Sequence, residues 1–119
     1  MRALIVGASG GLGAAFVAQL AGDSRFSHVI GWSRSALSAA NDKVSSMRID
    51  LCNEATIEAA AQSLGEVDLV IVATGLLHDG DLKPEKTWRS LDSSMMKRVF
   101  EINTIGPALV AKHVLPLLP

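Results

Sequence analysis

Tyrosine is absent from the 119 residues, cysteine occurs once, and the charges nearly cancel at a formal net of -1. Without tyrosine, the chain has no phenol to give or take a proton. The lone Cys52 cannot close an internal disulfide, which fits a reducing cytoplasm. Balanced charge offers no basic field to nucleic acid and no pull toward an anionic membrane. No apolar run approaches the roughly 20 residues needed to span a bilayer. The opening Met1-Arg2-Ala3-Leu4-Ile5-Val6 has no small-residue cleavage site and runs straight into a glycine loop, unlike a secretory leader. His28, His78, His113 and Cys52 do not fall at zinc-ligand spacings, so no metal site is expected.

What is present is an ordinary apolar fraction, 49% of residues, enough for one domain over 1–119 with a real core. Ala3 to Val6 is all apolar and cut off by Gly7, as expected of a strand buried on both faces. Leu12, Ala15, Phe16 and Leu20 fall on one stripe of a helix that Gly22-Asp23 ends. His28 to Trp32 reads as a second strand, Ser35 to Lys43 as loop with at most one helical turn, and Val44 to Asp50 as a third strand. Asn53 is placed to cap a helix whose buried face is Ile57, Ala60, Ala61 and Leu64, with Glu54 favoured in its first turn. Val67 to Ala73 is the clearest strand. A loop from Leu76 to Lys86 leads to a long helix from about Ser90 to Leu115, stopped by Pro116 and Pro119. Strands alternating with helices predict an α/β fold: a Rossmann-type parallel sheet with helices on both faces and right-handed crossovers.

The turn Gly7-Ala8-Ser9-Gly10-Gly11-Leu12-Gly13 joins a buried strand to a helix, and its parts have separate physical uses. Gly7 permits a tight turn, Gly11 allows backbone to approach a pyrophosphate, and Gly13 lets the helix pack close to the sheet. Unpaired N–H groups and a partial positive charge at the helix start favour an anion. Gly7, Ser9, Gly10, Gly11, Leu12 and Gly13 are therefore candidate cofactor-binding residues. A tight turn without ligand remains the alternative. A Walker-type loop is disfavoured because no Gly-Lys-Ser/Thr follows. A methyltransferase loop would usually carry an acidic residue before the first glycine.

The spacing Gly7-x-x-x-Gly11-x-Gly13 resembles that of the short-chain dehydrogenase/reductase family. Further matches follow in order. Asp50-Leu51 looks like the family's acidic-plus-apolar pair beside the adenine ring. Ala73-Thr74-Gly75 stands where the family usually has Asn-Ala-Gly, and Asn103-Thr104-Ile105-Gly106 is similar to its Asn-x-x-Gly element. Gly75-Leu76-Leu77-His78-Asp79-Gly80 with Pro84-Glu85-Lys86 resembles the C-factor-like branch. The resemblance implies hydride transfer between a nicotinamide cofactor and a small carbonyl or alcohol substrate.

NAD-specific relatives place an acidic residue after the second strand, to accept from the ribose hydroxyls. Here Trp32-Ser33-Arg34-Ser35 has none. A guanidinium flanked by hydroxyls suits a 2′-phosphate, so NADP(H) is expected in preference to NAD(H), with Ser33, Arg34 and Ser35 as its ligands. A solvated surface arginine is the alternative.

In the last helix, Met96, Val99, Phe100, Val110 and Val114 form an apolar stripe, and Asn103 points with it toward the sheet. A buried asparagine satisfied by backbone is one reading. Pro107, however, has no N–H for the carbonyl of residue 103, so a kink that frees this oxygen is expected. The family's equivalent asparagine holds, through that carbonyl, a water feeding the catalytic lysine. The resemblance thus makes Asn103 a candidate member of the catalytic proton relay.

The resemblance implies a Tyr-x-x-x-Lys pair and a serine that orients the carbonyl; the pair does not occur in the sequence, so this chain alone is expected to bind cofactor without turnover. Lys112-His113 reads as a cap on the negative end of its helix. His78-Asp79 reads either as a solvated loop pair or as an acid/base pair. A fragment of a longer protein is expected, and in any case homo-oligomerisation through the last helix, which the family commonly uses. The alternative function is a non-enzymatic nucleotide-binding sensor or signalling relative, toward which the irregular Ala73-Thr74-Gly75 leans.

Overall fold

A computed structural model describes residues 1–35, 37, 41–75 and 85–119. Its first strand, β1 (Arg2–Val6), forms because Ala3, Leu4, Ile5 and Val6 are all fully buried, with alternate side chains entering two different cores. Helix α1 (Gly11–Ala21) follows, then β2 (His28–Ser33), β3 (Val44–Arg48), α2 (Glu54–Gln62) and β4 (Leu69–Val72). All pairings are parallel and the order is β3-β2-β1-β4. Parallel neighbours need crossovers, and α1 supplies the one from β1 to β2 and α2 the one from β3 to β4, on opposite faces of the sheet.

One core lies between the sheet and α2. Leu4, Val6, Ile30 and Trp32 meet Ile57, Ala60, Ala61 and Leu64 there, joined by Val110 and Val114 from the end of the chain. The other core sets Ala3, Ile5, Ala8 and Val29 against Phe16, Val17, Leu20 and Ala21 of α1. Trp32, 1% exposed, is the largest of the fully buried side chains. Asn53 caps α2 by accepting from the Ala55 N–H at 3.2 Å, and Glu54 stands in the first turn.

Three expectations shift in detail. The fourth strand pairs only over Leu69–Val72, because Val67 and Asp68 donate instead to the carbonyls of Leu117 and Arg2. The long helix begins at Ser93, where Asp92 accepts from the Met95 N–H at 3.0 Å, after a separate 3-10 turn at Trp88–Ser90. It is also not one α-helix. Segment α3 (Ser93–Phe100) passes through a π-helical turn, Glu101–Ile105, into α4 (Gly106–Val114), and the Gly106 N–H donates to the Glu101 carbonyl. The break expected from Pro107 thus takes the form of a register change rather than an open kink.

The apolar stripe divides at this turn. Val110 and Val114 are buried, whereas Met96 and Phe100 are 38% and 56% exposed. In the described sheet β4 is an edge strand, as is β3, and Val72 of β4 is exposed as well. The loop pair His78-Asp79 and the 76–84 part of the C-factor-like stretch lie outside the described residues.

Lys112 and His113 do occupy the last turn of α4, but each has a specific partner. Lys112 Nζ donates to Glu54 Oε2 at 2.6 Å, and His113 Nε2 lies 2.8 Å from the same oxygen. This clamp joins the C-terminus of α4 to the N-terminus of α2. The Lys112 ammonium, and then the His113 ring, hold the Glu54 carboxyl below its ordinary value of 4.5. A carboxyl with a depressed folded pKa contributes stability above its unfolded value and loses it as pH falls through the folded value. Glu54→Gln should therefore melt below the parent protein at neutral pH, and the difference should close on acidification below about pH 4.5. A gap independent of pH in thermal melts would show that the clamp does not contribute as charge.

Candidate functional site

A cavity of about 670 Å³ opens beyond the carboxyl ends of the strands, the edge where parallel α/β sheets bind ligands. Its floor is the turn after β1. Gly7 adopts φ +89, and a Cβ there would lie 2.8 Å from the Ala73 carbonyl oxygen. Gly13 has no freedom either: a Cβ would fall 1.9 Å from the Gly7 carbonyl oxygen. The helix start therefore rests directly on the turn. The N–H groups of Gly7 and Ala8 both donate to the Trp32 carbonyl, at 2.8 and 3.1 Å, which ties the turn to β2.

Gly11 differs from its neighbours, since nothing lies within 4 Å of the position its Cβ would take. No side chain caps α1, and its first turn carries no acidic residue. Helix N–H groups and the positive end of the dipole thus face open space at a glycine-lined surface. This arrangement fits a phosphate group.

Among the predicted residues, Gly7, Ser9, Gly10, Ser33, Arg34, Asp50, Leu51, Ala73, Thr74 and Gly75 all line this one cavity. Gly11, Leu12, Gly13, Ser35 and Asn103 are not in its wall. Gly13 is buried beneath the turn, and Leu12 is 67% exposed on the outside of α1. Asn103 lies in the π-turn, and its Oδ1 comes 3.9 Å from the Cβ position of Gly75, at the end of β4. Gly106 shows why the Asn-x-x-Gly spacing ends in glycine: a Cβ would meet Leu51 Cβ at 2.9 Å.

The polar groups of the wall are unevenly engaged. Ser33 is buried and its hydroxyl donates to the Ser35 carbonyl, so it pins the loop after β2 and has no proton left for a ligand. Arg34 is exposed, and its guanidinium has no partner among the described residues. Asp50 Oδ1 accepts from the Cys52 N–H at 2.9 Å, and the Asp50 N–H donates to Thr56 Oγ1 at 2.9 Å. Thr74 Oγ1 is buried with no hydrogen-bond partner among the described residues. A buried hydroxyl left so is costly unless something polar reaches it. Burial, followed by the Glu101 and Asp50 carboxylates, pushes the Cys52 thiol above its ordinary 9.0, so it is not a thiolate nucleophile at neutral pH.

Sequence reasoning missed several lining residues, among them Trp32, Arg48, Thr56, Arg98 and Ile102. Arg48 had a usable signal. It stands two residues before Asp50, and side chains two apart along a strand share a face. Arg98 and Ile102 had none, because only the crossing of the last helix brings them there.

A model of the family described as short chain dehydrogenase matches residues 1–119. The chain belongs to the short-chain dehydrogenase family. Solved structures agree in fold. An NADPH-bound carbonyl reductase from chicken fatty liver superposes with a TM-score of 0.82 at 22% identity, over 98% of this chain and 47% of that one. The KRED1-Pglu enzyme gives 0.82 at 27% identity, over 98% and 51%. The aldohexose dehydrogenase of Thermoplasma acidophilum, in ligand-free form, gives 0.79 at 19%, over 98% and 44%. The chain thus spans about half the length of these proteins. No curated protein matches it.

Gly13 offers a direct test of the cradle. Gly13→Ala places a methyl group inside the contact distance of a backbone oxygen, so α1 must lift from the turn. It should destabilise the protein by more than about 2 kcal/mol, whereas Gly11→Ala, facing open space, should cost at most about 1 kcal/mol. Equal denaturation midpoints for the two variants would contradict this geometry.

Proposed function

We propose that this chain holds the cofactor of a cytoplasmic oxidoreductase that moves hydride between NADP(H) and a small carbonyl or alcohol substrate. The observation that carries the reading is Arg34. Its exposed guanidinium stands at the cavity mouth after β2, without a partner among the described residues. The one carboxylate among the described lining residues, Asp50, belongs to the next strand-to-helix connection. A 2′-phosphate would gain charge-assisted hydrogen bonds there, and no described acidic residue stands beside Arg34 to receive ribose hydroxyls.

Several residues of the wall would serve such a cofactor. The open backbone at Gly10 and Gly11 with the uncapped start of α1 would take the pyrophosphate. Asp50 and Leu51 would flank the adenine, and the unpartnered Thr74 hydroxyl would reach the nicotinamide side. When bound, the nicotinamide supplies or accepts the hydride. The chain's own contribution is to hold and orient it, and to keep a proton path. We assign the latter to Asn103, supported by its place in the π-turn beside Gly75. Lys112 and His113 are committed to Glu54, which argues against them as a substitute acid and base. The exposed Met96 and Phe100 of α3 support self-association through the last helix; a sedimentation coefficient independent of concentration at the monomer value would refute it.

Quenching of tryptophan emission during NADPH titration tests the cofactor reading, since Trp32 lies in the cavity wall. Arg34→Ala should weaken NADPH by about 1.5–3 kcal/mol, on the order of ten- to a hundredfold, and leave NADH nearly unchanged. Equal losses for the two nucleotides would contradict the assignment.

A further inference from the structure

Arg48 ends β3 in register with Ser33, the last residue of β2. Residues paired in this way extend from the same face of the sheet. Its Nε donates to the Arg34 carbonyl at 3.2 Å. That single bond orients the guanidinium plane, and the Nη groups have no partner among the described residues. The Arg34 guanidinium is likewise without one. Both arginines line the same cavity beside Ser9 and Gly10. Two like charges are thus held on adjacent strand ends, and no described acidic residue pairs with either.

Like charges gain nothing from each other. An anion between them would give both a partner. A phosphomonoester at neutral pH carries about -1.5 to -2 charges and three acceptor oxygens, which one guanidinium does not neutralise. A ribose diol carries no charge and gains little from a second cation. We infer that Arg48 and Arg34 together form a two-guanidinium clamp for the 2′-phosphate, with Arg48 as a second specificity-determining residue. The inference rests on the NADP(H) reading above. It adds that selectivity is shared between two strand ends rather than set by the loop after β2 alone.

A simpler role for Arg48 would be to hold the Arg34 carbonyl and so position Arg34. The two roles separate in a double-mutant cycle on the full chain. The readouts are dissociation constants for NADPH, NADH, 2′-AMP and 5′-AMP. Arg48→Gln should weaken NADPH and 2′-AMP at least tenfold while NADH and 5′-AMP change less than twofold. The two unphosphorylated ligands also report that the fold survives. In the Arg34→Ala background, Arg48→Gln should still weaken NADPH severalfold. Arg48→Lys should retain part of the affinity, because it keeps the charge and loses the planar fork.

If Arg48→Gln leaves NADPH unchanged while Arg34→Ala weakens it, the clamp is refuted and the cofactor reading stands. If Arg48→Gln acts only when Arg34 is present, Arg48 is a positioning residue and the clamp is again refuted. If the parent protein binds NADH as tightly as NADPH, the cofactor reading fails and takes the clamp with it.

Discussion

The contact between Gly13 and the Gly7 carbonyl governs the arrangement of the site. A Cβ on Gly13 would lie 1.9 Å from that oxygen, so helix and turn approach more closely than any other residue allows. Two consequences follow. The uncapped start of α1 is brought over the end of β1, next to Ser9 and Gly10 of the cavity wall. The turn is also held low enough for Gly7 and Ala8 to share the Trp32 carbonyl, which places the loop after β2 beside the cradle. The positions of Ser33, Arg34 and, through register, Arg48 follow from the same approach.

The opposite side of the cavity depends on the last helix. The clamp of Lys112 and His113 on Glu54 ties the far end of α4 to α2. Val110 and Val114 seat it in the core shared with Leu4, Val6 and Trp32. Gly106 then passes over Leu51 at a distance that excludes any side chain. Between this anchored half and the exposed α3, the π-turn adds one residue to the helical register. That turn carries Asn103 to the end of β4, where its amide oxygen faces Gly75. Cradle and helix thus converge from two independent packing solutions.

Much of this was legible in the sequence, for identifiable reasons. β1 could be read because burial on both faces leaves no room for polar residues between Ala3 and Val6. The cap at Asn53 and the stripe Ile57, Ala60, Ala61, Leu64 could be read because local chemistry and burial agree there. The last helix was harder. Periodicity shows which residues share a face, and gives no sign of whether anything covers it; Met96 and Phe100 match the stripe of Val110 and Val114 yet stay exposed. Asp92 outcompetes Ser90 as the start because its carboxylate reaches the Met95 N–H. Pro107 announces a break, but the choice of a π-turn depends on how Gly106 seats against Leu51. Arg48 could be placed on one face with Asp50 from its spacing, but its position beside Arg34 comes from pairing with Ser33, a relation between strands that one strand's pattern does not contain.

The central claim is that the turn from Gly7 to Gly13, with the strand ends beside it, is a nicotinamide dinucleotide cradle of the NADP(H) kind. Amide resonances followed during NADPH addition test it most directly. The account predicts saturable shifts at Gly10, Gly11, Leu12 and Gly13, accompanied by Arg34 and Thr74, with half-saturation at a higher concentration for NADH. Absence of saturable shifts in the turn, or shifts confined to the exposed face of α3, would contradict it.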